Sequence, residues 1–308
     1  MKKIWKISAF LLALPVLASC KPGFKGKGES KSEDAFLEAL DKAAESCEYY
    51  KEEKARSYVL KSKGSSKTVS TTKRKSKVVN KIKRTSSAKE TIKYSKEKML
   101  LSIDSVTRAK SNTKNSDSNE SGTGKDKAKL MYQSAQYEGA TYLVEADKKD
   151  KSYSPVALLS NSVKLEDAID EAAKDKVINQ IEGFELDFAK GYTPSYYING
   201  NVFTIEVKVD AVNDYKPATK VIFTSKTTGT QKYQIDFTNG KISYKSYSDL
   251  TFTTEYYESY DGHAKGEVIK TKRTSSVEVS VKAKKVSLSA VKVGSYAPIG
   301  FDSGSSAK

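Results

Sequence analysis

The clearest pattern in the chain is two-residue alternation. Phe203, Ile205, Val207 and Val209 alternate with Thr204, Glu206, Lys208 and Asp210, as in a strand with one covered face and one wet face. The stretch KYQIDFTNGKISYKSY, residues 232–247, reads as a hairpin turning at Asn239-Gly240. Pairing Thr238 with Lys241 sets Ile235 opposite Tyr244 and Phe237 opposite Ile242. Turn and apolar face then agree on one register. A further strand is expected with Leu250 and Phe252 inward. Another starts at Glu267, after the Gly262–Gly266 turn, and puts Val277, Val279, Val281 and Ala283 on one face. Val286, Leu288 and Ala290 alternate in the opposite phase, and the slip at Lys284-Lys285 predicts a bulge that curls the sheet.

Two segments carry a helical period instead. From Glu33 to about Glu48, Phe36, Ala39, Leu40, Ala43, Ala44 and Cys47 recur at steps of three and four, and Ser30 to Glu33 fits a capping box. From Leu165 to Ile181, Ile169, Ala172, Ala173, Val177, Ile178 and Ile181 mark a buried side, with Gly183 as a C-terminal cap. Glu166, Asp167, Asp170 and Glu171 crowd the first turns, where the helix dipole favours anions, and read as a solvated helix start.

Residues 57–108 are strand-like but polar. In KRKSKVVNKIKR, residues 73–84, period two places Lys73, Lys75, Lys77, Lys81 and Lys83 on one face of a strand, which must meet water or an anionic partner. Residues 114–127 contain no aliphatic or aromatic position and are expected as a flexible loop. AKLMYQ and ATYLVEA follow as strands on either side of Gly139. The order is helix, polar strands, helix, then amphipathic antiparallel strands. It predicts a mainly β fold with α: one large curved antiparallel sheet, an incomplete β-barrel, covered by two helices in a single domain at 33–294. A hollow between sheet and helices is a natural ligand cavity.

Charge divides this picture unevenly. The 308-residue chain carries a formal net charge of +16. Residues 51–130 hold 23 Lys and Arg against 8 Asp and Glu, whereas residues 131–260 hold 14 against 19. Only five cations are Arg, the fork suited to base edges. A nucleic-acid partner is therefore not expected. A basic face meeting an anionic membrane or wall polymer fits better.

The N-terminus supplies the reason. Lys2, Lys3 and Lys6 precede the apolar run Ile7 to Leu17, too short to span a bilayer, and Leu17-Ala18-Ser19-Cys20 closes it. This layout resembles the bacterial lipoprotein signal peptide, whose lipobox is an aliphatic residue and two small ones before a cysteine. The resemblance implies cleavage after residue 19 and a diacylglyceryl group on Cys20. Two acyl chains, each buried methylene contributing about 0.8 kcal/mol, make a stable anchor. The implied location is the outward face of a cell membrane. Residues 20–32 then read as a flexible tether and 295–308 as a loose tail. With lipobox, leading helix and interrupted sheet together, the chain also resembles lipid-carrier lipoproteins of the LolA, LppX and LprG type. That likeness implies an apolar cavity holding an acyl chain or other amphiphile; the alternative is a surface structural or adhesive lipoprotein whose lysine-rich face binds an anionic wall polymer or host glycan.

Enzymatic chemistry finds little footing. His263, the sole histidine, sits in a turn and is expected to be exposed. No His/Cys cluster suits zinc. SGTGKD at 121–126 lacks both the leading glycine and the trailing hydroxyl of a phosphate loop. No cofactor and no metal are expected. Cys47 is read as a buried, inert thiol. Of the tyrosine pairs Tyr196-Tyr197 and Tyr256-Tyr257, one member of each is expected to face outward.

Overall fold

A computed structural model of the chain describes residues 23–46, 57–115, 118–181, 188–238 and 241–301. The lipobox residues Leu17, Ala18, Ser19 and Cys20, the Cys47 thiol, Gly183 and the Asn239-Gly240 turn lie outside them. So do the side chains of Val177, Ile178 and Ile181.

The elements run β1 (Glu29–Lys31), α1 (Glu33–Ser46), β2 (Tyr58–Arg74), β3 (Lys77–Ser95), β4 (Leu100–Asn115), β5 (Asn119–Tyr137), β6 (Ala140–Asp147) and β7 (Ser152–Leu158). Then come α2 (Leu165–Ile181), β8 (Tyr192–Asn199), β9 (Val202–Tyr215), β10 (Phe223–Asp236), β11 (Lys241–Tyr256), β12 (Glu267–Ala283) and β13 (Ala297–Pro298). All thirteen strands form one sheet in the order β1-β8-β9-β10-β11-β12-β2-β3-β4-β5-β6-β7-β13. Every pairing is antiparallel except β13 with β7. The sheet is curved and does not close into a barrel.

The hairpin register is as read from the sequence, with Ile235 opposite Tyr244. Both helices rest on the same face. Under α1, Phe36 is fully buried against Tyr196, Phe203, Ile205 and Val207. Its ring lies 5.2 Å from Tyr196 and 5.7 Å from Phe203. Under α2, Ile169 and Ala173 pack on Tyr58, Leu60, Ile92, Tyr94, Leu101 and Val279. The N-cap of α1 is Ser32, whose hydroxyl accepts from the Ala35 amide at 3.4 Å, in place of the expected Ser30.

Four local expectations change. Residues 73–84 are a hairpin, because Lys75 and Ser76 take positive φ (46° and 65°) as its two turn residues. Neither is the Asn or Gly that signals such a turn. Residues 119–127 are strand, not loop. Paired to β4 but exposed on both faces, they have no reason to alternate. The LTF segment continues β11 rather than starting a new strand. The phase slip at Lys284-Lys285 is no bulge: β12 ends at Ala283 and the chain leaves the sheet. The register shifts of the sheet lie instead at Thr72/Lys73 and Leu143/Val144.

The expected tail also narrows. Gln133 donates to the Val291 carbonyl (2.9 Å) and accepts from the Val291 amide (2.7 Å), gripping the departing chain. Val291, Val293, Tyr296 and Phe301 then cover Ala135, Val144, Ala146 and Tyr153 on the face opposite the helices.

Candidate functional site

The helix face carries the first candidate. Between the two helix-covered clusters lies a strip of half-buried apolar and aromatic side chains: Tyr233, Ile235, Phe237, Tyr244, Phe252 and Val277. Strand alternation places them, since Ile205–Tyr233 and Phe203–Ile235–Tyr244–Val279 are successive register lines across β9 to β12. Burial first, then neighbouring Tyr192, pushes the Tyr233 phenol up to about 12. Burial likewise raises that of Tyr244. These hydroxyls stay neutral, so the strip carries no phenolate charge at physiological pH.

Beyond one end of this strip lies α2, which among the described residues is pinned by three side chains. Tyr58 donates to the Ala173 carbonyl at 2.7 Å. Tyr94 donates to the Asp170 carboxylate, which also takes Lys96 Nζ at 2.5 Å. Lys96 reaches Glu166 at 3.3 Å. Asp170 is only 6% exposed, so the acidic cluster is not wholly a solvated helix start. The signal was present in the spacing: Asp170 sits next to Ile169 and three residues before Ala173, inside the buried stripe.

The opposite face carries the second candidate. The bulge near Lys73 and Val79 shifts the phase of β3, so Lys73 shares a face with Lys81 and Lys83 while Lys77 points with Arg74 to the helix side. Lys75 lies in the turn. The five lysines therefore divide, but the opposite face gains many more. Register places Lys61, Lys63, Lys67 and Lys73 of β2 and Lys81, Lys83, Lys89 and Lys93 of β3 there. Arg108, Lys110 and Lys114 of β4 and Lys125, Lys127 and Lys129 of β5 join them. Asp104 is the carboxylate these four strands add to that face. On their helix face, Arg74, Lys77 and Arg84 stand against Glu90, Glu120 and Asp126. The basic excess thus belongs to one face only, a property of register that a linear charge count does not reveal.

The expected tether is docked on this same face from Gly23 onward. The side-chain amide of Gln234 accepts from the Lys25 amide (2.9 Å) and donates to the Lys25 carbonyl (3.2 Å). Lys25 Nζ pairs with Asp236 at 2.7 Å, Lys27 pairs with Glu206, and Lys245 Nζ donates to the Gly23 carbonyl at 2.5 Å. Lys27 lies over the Tyr197 ring and Lys232 over the Phe24 ring, each about 5 Å from the centroid. Burial would raise the carboxyls of Glu206 and Asp236, but hydrogen bonds outweigh it and hold both below the ordinary range. Lys27 and Lys232 act on Glu206, Lys25 and Thr238 on Asp236. Depressed carboxyls stabilise the docked segment fully above their unfolded values near pH 4, and this contribution is lost as pH falls through the folded values. Amide exchange at Lys25, corrected for intrinsic rate, is expected to stay protected at pH 6 and to lose protection below about pH 4. Unchanged protection there would show that the contacts that do not titrate near pH 4, such as those of Gln234 and Lys245, hold the segment.

His263 is not an open turn residue. Its Nδ1 lies 2.8 Å from Glu267, its ring stacks on Tyr256 at 4.4 Å, and Glu267 also receives Arg74 at 2.6 Å. Tyr196 and Tyr256 are buried and Tyr257 is exposed, but Tyr197 is half-buried beneath Lys27. Among the described residues, no helix is long and apolar enough to cross a membrane, and no group of three metal-ligating side chains forms.

No protein-family model matches the chain, and no curated protein matches it. Among solved structures, a lipovitellin structure described for its lipid–protein interactions aligns at TM-score 0.33 and 11% identity. It covers 78% of this chain, while this chain spans only 27% of that one. Pseudomonas aeruginosa OccK7 (OpdD) aligns at TM-score 0.17 and 5% identity, over 73% of this chain and 99% of that one. The Salmonella secretin InvG aligns at 0.11 and 9%, over 84% and 71%. Scores this far below 0.5 carry no argument about this chain.

Proposed function

We propose that this chain is an exported, non-enzymatic lipoprotein, anchored through Cys20, that holds a lipid or other amphiphile on the helix face between α1 and α2. The observation that carries this reading is the half-buried strip of Tyr233, Ile235, Phe237, Tyr244, Phe252 and Val277 between two fully packed clusters. Half-buried apolar positions beside the helix-covered clusters suit an acyl chain, and neutral phenols suit the polar atoms at its head.

The test is the native mass of the mature chain carrying Cys20→Ser, purified from a bacterial host and then extracted with organic solvent. The expected result is a mass excess of one amphiphile, released into the solvent. Tyr233→Arg with Val277→Arg is expected to lose it while α1 and α2 remain folded by circular dichroism. A clean apo mass, unchanged after incubation with lipid vesicles, defeats the carrier reading.

A further inference from the structure

We propose that the basic face of β2–β5 lies against the anionic phospholipid headgroups of the membrane that holds the anchor. The inference rests on Cys20 as the site of lipid attachment, and it concerns the face opposite the proposed hollow.

The docked segment fixes where the anchor would leave the fold. Cys20 is three Cα steps from Gly23, a reach of roughly 10 Å. Gly23 is held by Lys245, and the next residues by Gln234, Asp236 and Glu206. One register line crosses the sheet through Gln234, Lys245, Glu278, Lys63, Lys89, Val106 and Lys127. The docked segment and the lysines therefore share a face. Lys63 lies two strands from Lys245 and Lys127 five, so the basic region begins about 10 Å from the anchor exit and ends about 24 Å from it. An acyl anchor on so short a lead brings this face, and not the helix face, to the bilayer.

The charge distribution is what such a surface needs. Along β2–β5 the cations on this face are almost unopposed, while those on the helix face are balanced by carboxylates. Glu278 on β12 takes one of them, Lys63, at 2.8 Å. Most are exposed, and all but Arg108 are lysines, compact point charges that suit headgroup phosphates without the fork geometry of specific recognition. Cations within a Debye length of about 8 Å of the headgroup plane act on it; cations on the far side of the sheet, behind its side chains, act much less. An anionic wall polymer would be met on the side turned away from the membrane, which is the less basic helix side.

Two measurements test this. First, unlipidated full chain carrying Cys20→Ser is sedimented with vesicles of phosphatidylcholine alone or mixed with phosphatidylglycerol. Binding is expected only to the mixed vesicles and is expected to weaken with salt. Lys81→Glu with Lys83→Glu and Lys110→Glu should weaken it at least about tenfold. The same net change made elsewhere, Lys42→Glu with Lys164→Glu and Lys190→Glu, should leave most of it. Equal loss in both triples overturns the assignment of a face, and binding to a soluble teichoic-acid-type polyanion but not to vesicles overturns the choice of lipid. Second, lipidated chain in a Cys47→Ser background is labelled at Ser121→Cys or Thr107→Cys, exposed positions on opposite faces of β5 and β4. Headgroup-bound quencher is expected to reach the label at 121 and not at 107; the reverse sinks the proposal even if the charge variants misfold. Cell fractionation of Cys20→Ala separately tests the anchor. Release of that variant by a high-salt wash that leaves the wild-type chain on the membrane supports both the face contact and the anchor on which the proposal rests, whereas retention of both through the wash removes the anchor from it.

Discussion

Replacing Asp170 with alanine is expected to lower unfolding free energy by about 2–4 kcal/mol, among the larger effects for one side chain. The carboxylate is buried and receives both Tyr94 and Lys96. Alanine leaves the buried Tyr94 hydroxyl without that acceptor, and Lys96 without its shorter ion pair. Lys96 is 30% exposed and keeps Glu166 at 3.3 Å, so water and that second acid recover part of the loss. Asp170→Asn, which retains an acceptor for Tyr94 but no charge for Lys96, should fall between wild type and alanine. The pin also fixes the direction of alkaline sensitivity. Burial first, then the hydrogen bond to Asp170, holds the Tyr94 phenol well above its ordinary value. Its contribution is complete below the unfolded value near pH 10 and is lost as pH rises through the folded one. Urea titrations at pH 7 and pH 10.5 read both effects. An alanine variant within about 0.5 kcal/mol of wild type would show that α2 is held without the Asp170 pin.

Gly229→Ala is expected to cost at least about 3 kcal/mol and to reduce soluble yield. Gly229 sits mid-strand on β10 with φ +144°, and a Cβ there would lie 2.0 Å from the Asp249 carbonyl oxygen of β11. Neither strand can step aside, since β10 and β11 pair along their whole length. Gly124→Ala is the internal control. It is also mid-strand, on β5, but has ordinary φ and nothing within 4 Å of the added carbon. It should change stability by less than about 0.5 kcal/mol in the same thermal melts. Equal sensitivity at both positions would mean that backbone propensity, rather than the close approach to Asp249, sets the cost.

Where one side of a segment is covered, its structure was legible. Phe203 to Val209, the 232–247 hairpin and both helices alternate or repeat because packing demands it, and their bounds and register follow. The polar half was less legible for the same reason. Residues 119–127 are exposed on both faces and pair through backbone alone, so no apolar beat marks them. The Lys75-Ser76 turn uses left-handed residues without glycine, and missing it merged two strands and misassigned Lys77. The docked segment 23–31 was hidden because its partners are far away in the chain: Gln234, Asp236 and Glu206 hold Lys25 and Lys27, and nothing local announces them. Of the candidate sites, the aromatic strip could be read as alternation, but the one-sided basic face needed strand register.

The order of the sheet has a consequence for self-association. An open sheet ends in two rows of unpaired amides and carbonyls, each a template for another chain. Here those rows are occupied by the two shortest strands, β1 with three residues and β13 with two, drawn from opposite ends of the sequence. β13 ends on Pro298, which has no amide hydrogen to donate further. Without these two strands, β8 and β7 would be the exposed templates, and both come from the middle of the chain. Cover over residues 196–198 of β8 and 152–153 of β7 therefore needs segments from near the two ends of the chain to have both docked. No shorter part of the chain has both edges covered.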